Sequence, residues 1–217
     1  MIYDLHHRYL FIHIPRTAGV AITRALAGVS SHCVVDLTAG RHMTAAALKQ
    51  RLGDRWHQFR PWAIARSPWD IVLSDYRLTL RDLQVGALQA RLAPGWRGRL
   101  ERMRDEPGFE AFVHREICDP RYSRIRGGYW RTWSTDAGTD VGVEPIRYDA
   151  LEDWDAVADG LGLPACELPR VNQTPDVECP VWTGDAIEAI GRVCGDDVER
   201  FEWQRPKITQ AAVSLQT

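Results

Sequence analysis

Lysine is almost missing from this chain: of its 27 basic residues only Lys49 and Lys207 are lysines, so positive charge comes as arginine. Cysteine is sparse as well, with five residues (Cys33, Cys118, Cys166, Cys179, Cys194), no C-x-x-C pair and no short Cys–His spacing. That pattern argues against a zinc ribbon or a disulfide scaffold and predicts buried or free thiols in a reducing compartment. No run approaches the ~18 apolar residues of a membrane span. Asp4, His6, His7 and Arg8 precede the first short apolar run, which is no signal-peptide pattern. A cytoplasmic protein with no integral membrane segment is the expectation. The formal net charge of -2 gives no support for nucleic-acid binding through bulk electrostatics. Repeats, low-complexity tracts and obvious linkers are also lacking, so residues 1–217 are expected to form one domain, whose oligomeric state the sequence leaves open.

What is present is an alternation of short apolar runs with helical patterns. Strands are expected at Tyr9–Ile14, Cys33–Leu37, Pro61–Ala65 and Val143–Tyr148. Helices are expected at Ala18–Ala27, Thr44–Leu52 with Thr44 as N-cap, Trp69 to about Leu83 behind Pro68, Leu100–Arg104, Phe109–Arg115, Leu151–Leu161 and Asp185–Phe201. Asp119–Gly138 reads as a Gly/Arg/aromatic loop. Strands separated by helices imply an α/β fold, a three-layer P-loop-like domain with a central, mostly parallel sheet flanked by helices. Ligands of such sheets sit at the carboxyl ends of the strands.

Two expected strand ends carry anion-binding equipment. After the first comes Pro15-Arg16-Thr17-Ala18-Gly19-Val20-Ala21, where the leading amides of a helix and its dipole favour a phosphate or sulfate, with Arg16 and the Thr17 hydroxyl beside them. After the third comes Arg66-Ser67-Pro68-Trp69-Asp70, followed at helical spacing by Ser74 and Arg77. Arg66 and Ser74 can face one anion; the plainer role for Arg66 is a salt bridge at a strand terminus. Two such sites suggest a nucleotide phosphorylated at both ends.

These segments resemble the sulfotransferases that use 3'-phosphoadenosine 5'-phosphosulfate, in particular the carbohydrate-sulfotransferase branch. His13-Ile-Pro-Arg-Thr-Ala-Gly-Val-Ala21 is similar to that family's H-I-P-K-T-G-G-T-S, and Arg66-Ser-Pro-Trp-Asp-Ile-Val-Leu-Ser-Asp-Tyr76 to its R-N-P-Y-D-R-x-x-S-x-Y. Ile146–Glu152, Leu168–Asn172 and Asp197–Phe201 resemble its R-Y-E-x-L, L-P-x-x-N and D-x-x-x-F segments. The resemblance implies that the backbone of Thr17, Ala18, Gly19, Val20 and Ala21 holds the 5'-phosphosulfate and that Arg66 and Ser74 hold the 3'-phosphate. It also implies that Arg16, in place of the family's lysine, lies near the bridging oxygen where charge develops. The implied partners are this nucleotide, as co-substrate, and a hydroxylated acceptor such as a small glycan, glycolipid or secondary metabolite. No metal is implied.

The departures matter. Arg16 cannot donate a proton as lysine can; either it reflects drift in a lysine-poor chain or it marks an altered catalyst. Val20 and Ala21 lack the hydroxyls the family often has, and Ala18, replacing a glycine, fits if its backbone keeps negative φ. An attacking hydroxyl needs a base. His42, in an H-x-x-A segment similar to one in the carbohydrate branch, is the first candidate; the plainer role is a polar residue at a helix start. His13 reads as a core or loop-shaping histidine. In the Tyr122–Trp133 segment, Arg126 and the aromatic rings either fold over the nucleotide or pin a surface loop. Two alternatives stay open: a protein that binds the nucleotide or a sulfated glycan without turnover, and a kinase-like phosphotransferase. The latter is disfavoured by the absence of G-x-x-x-x-G-K-[ST] and of an acidic residue after a strand to hold magnesium.

Overall fold

The computed structural model describes residues 2–35, 42–85, 94–123, 125–171 and 180–208. In chain order the elements are β1 (Ile2–Asp4), β2 (Tyr9–Ile12), α1 (Gly19–Ala27), β3 (Cys33–Val35), α2 (Ala45–Leu52), β4 (Arg60–Ala65), α3 (Pro68–Val85) and α4 (Pro94–Asp105). Then follow α5 (Phe109–Phe112), which runs into a π-helical stretch over Val113–Cys118, α6 (Tyr129–Ser134), β5 (Thr135–Asp136), β6 (Thr139–Asp140) and β7 (Glu144–Arg147). The last are α7 (Trp154–Leu161), α8 (Gly184–Val193) and α9 (Gly195–Phe201). Residues 36 and 37 of the expected second strand lie outside the described residues. The chain divides into two compact units, Met1–Arg66 with Tyr129–Gln173 and Ser67–Gly128 with Thr174–Thr217.

The first unit is built on a five-stranded sheet of order β3-β1-β2-β4-β7. It is mixed, which corrects the expectation of a mostly parallel sheet: β2-β4 and β4-β7 are parallel, whereas β1-β2 and β1-β3 are antiparallel. The cause is β1, three residues long and too short to show an alternating pattern. The Asp4 carboxylate accepts the amides of His6 and His7 at 2.7 Å each and turns the chain straight back into β2.

All four residues of β2 are buried, as are Pro61–Ala65 of β4. Continuous apolar runs of this kind belong to strands covered on both faces. One face presents Tyr9, Phe11, Trp62 and Ile64, which pack with Ile22 and Leu26 of α1 and Trp154, Ala158 and Leu161 of α7. Chain punctuation is local: Thr44 caps α2 by accepting the Ala47 amide at 3.2 Å. Gly162, at φ 66, ends α7 in a left-handed turn in which the Leu163 amide returns to the Ala158 carbonyl at 2.8 Å. The expected loop over 119–138 is corrected in its second half. Tyr129 and Trp130 are buried on α6, where Tyr129 and Trp133, four residues apart, stack with ring centres 5.9 Å apart, and the β5-β6 hairpin follows.

The second unit is helical. Pro68 opens α3, where a missing amide costs nothing. Trp69 is buried and donates its indole N–H to the Ile187 carbonyl at 3.1 Å. Tyr76 stands edge-on to Phe109 and Phe112, its hydroxyl donating to the Pro107 carbonyl at 2.9 Å. Glu116, in the π-helical stretch, is buried and takes a two-pronged Arg102 at 2.9 Å on each oxygen, with Arg115 Nε at 3.0 Å. Gly128, at φ 145, has no room for a side chain, since a Cβ there would lie 2.1 Å from the buried Asp197 carboxyl carbon. No described helix is long and apolar enough to cross a membrane.

Candidate functional site

The first unit gathers most of the candidate residues by a simple rule of sheet geometry. β2, β4 and β7 are parallel neighbours, with Ile12 opposite Ala63 and Ala65 opposite Arg147, so their carboxyl ends lie side by side. The segments leaving those ends are the Pro15–Ala21 loop, Arg66 and Tyr148. Arg66 donates from Nη1 to the Arg16 carbonyl at 2.8 Å and stacks its guanidinium 4.1 Å from the centre of the Tyr148 ring. One bond and one stacking contact thereby fix a half-buried cation against the turn. The loop and Arg66, far apart in sequence, form one place.

The turn itself is wound in an unusual way. Arg16 (φ 65) and Ala18 (φ 60) both adopt left-handed backbone, so the condition under which an alanine replaces the glycine without strain is not met at Ala18. Each such residue costs about 1–2 kcal/mol. Strain of this kind persists where the surroundings impose it, and it concentrates at ligand clamps. Two contacts impose it here. The Thr17 side chain is fully buried and donates its hydroxyl to the Ile14 carbonyl at 2.8 Å, so that group staples the loop from within. Gly19 lies against the His13 ring, where a Cβ would sit 1.8 Å from Cδ2.

No side chain caps α1. Its first internal bond runs from the Ile22 amide to the Ala18 carbonyl at 3.1 Å. The amides of Gly19, Val20 and Ala21 therefore precede the helix's own bonding and lie at the positive end of its dipole. Gly19 and Ala21 are buried and Val20 is half-buried.

His42 is exposed just before α2, with Nδ1 3.0 Å from the His13 carbonyl and its ring 4.5 Å from the His13 ring. A carbonyl can only accept, so that bond places a proton on Nδ1. His13 is consequently a hub: its ring lies against Gly19 of the 15–21 turn and its carbonyl accepts from His42. The sequence placed it in the core or in loop shaping, and it does both. Tyr148 was missed as a site residue, although it lies in the segment Ile146–Glu152 and, by register, beside Arg66.

Ser74 is half-buried on α3 in the second unit, as is Arg77 one turn further on. Arg126 makes short local bonds to the carbonyls of Ser123 and Ile125 at 3.3 and 2.8 Å. Other nucleophiles and bases are poorly placed for chemistry. The described cysteines, Cys33, Cys118, Cys166 and Cys194, form no disulfide, and burial pushes all four thiols up. Burial alone would raise the Glu116 carboxyl, but the hydrogen bonds from Arg102 and Arg115 and the charge of Arg99 hold it below its ordinary value. Such a carboxylate is locked in an ion-pair network and unsuited to act as a base.

Comparison with protein-family models, with curated proteins and with solved structures gives no match to this chain.

Proposed function

We propose that the chain is a sulfotransferase of P-loop-like architecture that takes a sulfuryl group from 3'-phosphoadenosine 5'-phosphosulfate and passes it to a hydroxyl of a small glycan, glycolipid or secondary metabolite. The observation that carries this reading is the strained Arg16–Ala18 turn ahead of an uncapped helix, with the Arg66 guanidinium bonded to it and His42 hung from the strand that precedes it. The donor set fits a multiply charged oxyanion: successive backbone amides, a helix dipole and two arginines, with no acidic side chain in the 15–21 segment.

The nucleotide supplies an activated sulfuryl group and a stable bisphosphate leaving group. The amides of Gly19, Val20 and Ala21 bind its 5' oxygens. Arg16 places a permanent positive charge where negative charge grows on the bridging oxygen as the sulfur–oxygen bond breaks, a stabilisation stronger in the transition state than before it. Arg66 takes the 3'-phosphate. His42 Nε2 accepts the proton of the acceptor hydroxyl as its oxygen bonds to sulfur. Because Arg16 cannot protonate the departing oxygen as a lysine can, this account relies on charge alone at that position.

The same feature favours the second reading, a protein that keeps the nucleotide without turning it over. Incubation with the sulfated nucleotide, a panel of hydroxylated acceptors and, in parallel, ATP tests both. Release of adenosine 3',5'-bisphosphate dependent on acceptor supports the transferase, whereas tight binding without release supports the binding protein. Preference for ATP with phosphate transfer defeats both.

A further inference from the structure

We propose that Glu110, His114 and Asp185, in the helical unit, form a site for one divalent transition-metal ion of the zinc type, independent of the nucleotide reading. One ligand atom from each residue lies within 4.8 Å of the others. Glu110 and His114 are one helical turn apart, running from α5 into the π-helical stretch, and so share a face. Asp185 comes from the first turn of α8, its Oδ2 2.7 Å from His114 Nε2.

The donor chemistry selects the ion. Two carboxylates and a neutral imidazole carry two negative charges, which a divalent cation cancels. A single imidazole favours zinc, nickel or cobalt over the all-oxygen preference of calcium and magnesium. Ligand atoms in a tetrahedral zinc site sit about 3.3 Å apart, given metal–ligand distances near 2.0–2.1 Å. Small side-chain rotations bring the three atoms to that spacing, opening the 2.7 Å His114–Asp185 hydrogen bond as the ion takes its place. Glu110 is already held for this: the Thr183 hydroxyl donates to its Oε2 at 2.6 Å, and the same Thr183 oxygen caps α8 by accepting the Ala186 amide at 3.2 Å. All three ligands are exposed, which leaves the remaining coordination position to water and gives the ion a path in. A bound ion would clip the π-helical stretch to the start of α8 and raise the stability of that unit by mass action.

The trio has neither short Cys–His spacing nor an acidic residue at a strand end, so nothing in the sequence marks it. Calorimetric titration of the full chain with zinc chloride, followed by thermal unfolding with and without the ion, tests the site. Uptake of one equivalent at micromolar concentration is expected, with a rise in melting temperature. Glu110→Gln, His114→Gln and Asp185→Asn should each weaken uptake about tenfold or more and erase the rise, while metal-free melting of these exposed variants stays near that of the parent. Cobalt separates this site from the thiols, because an oxygen and nitrogen donor set gives no sulfur-to-metal charge-transfer band. The proposal is overturned by no uptake at millimolar ion, by affinity unchanged in all three variants, or by a thiolate band.

Discussion

Adding or removing one methyl group at neighbouring positions of the anion turn should have opposite effects on stability. Ala18 sits at φ 60, where an L-residue pays about 1–2 kcal/mol that glycine does not. Ala18→Gly removes that strain, offset by about 0.4–1 kcal/mol from the greater freedom of glycine in the unfolded chain. The net expectation is a gain of about 0.5–1 kcal/mol. Gly19→Ala does the reverse, since its Cβ would fall 1.8 Å from the His13 ring. His13 is 8% exposed and its ring is 4.5 Å from that of His42, so moving it disturbs His42 as well. Overpacking of this kind costs about 1–3 kcal/mol. Urea unfolding of both variants beside the parent, compared at equal slope, measures the two effects. The Ala18→Gly protein should bind the nucleotide at least as well as the parent, because the turn keeps its shape. A destabilised Ala18→Gly, or a neutral Gly19→Ala, would refute the assignment of strain and close approach in this loop.

Other consequences follow from the same geometry. Arg16→Gly should separate stability from function: the fold gains from relief of its φ of 65, by denaturant midpoint, while nucleotide affinity and any turnover fall. If His42 is the base of the proposed transfer, His42→Asn should lower turnover with little change in nucleotide affinity, read by bisphosphate release and by titration. Glu116 makes stability depend on acidity. Its folded carboxyl is depressed, so its contribution is complete above the unfolded value near pH 4.3 and is lost as pH falls through the lower folded value. Glu116→Gln should therefore cost about 1–3 kcal/mol at neutral pH, because half-buried Arg102 loses the carboxylate it grips with two bonds while Arg99 keeps Asp75 and Arg115 keeps Glu106, and should flatten the acid limb of a stability-against-pH curve.

Much of the arrangement was legible because the signals were local and chemical. Thr44 and Pro68 mark helix starts by capping and by proline's missing amide. Arg16 and Arg66 could be paired in advance because both follow apolar runs that end in a turn, and parallel neighbours bring such ends together. Where sequence failed, the deciding contact was either too short or too distant. β1 has three residues and no pattern of its own, yet it turns half of the sheet antiparallel. The left-handed Ala18 is imposed by the staple at Thr17 and the close approach at Gly19, neither visible from an alanine in a loop. Tyr129 and Trp133 carry a helical spacing that the surrounding glycines and arginines concealed. Glu110, His114 and Asp185 meet only once the helices pack.

The central claim is that the turn at residues 15–21 and Arg66 together grip one doubly phosphorylated adenosine. Calorimetric titration of the parent and of Arg66→Ala with adenosine 3',5'-bisphosphate tests it most directly. One equivalent should bind the parent more tightly than ATP does, and the variant should lose about 1.5–3 kcal/mol, roughly ten- to a hundred-and-fifty-fold. No binding to the parent, or equal affinity in the variant, would contradict the account.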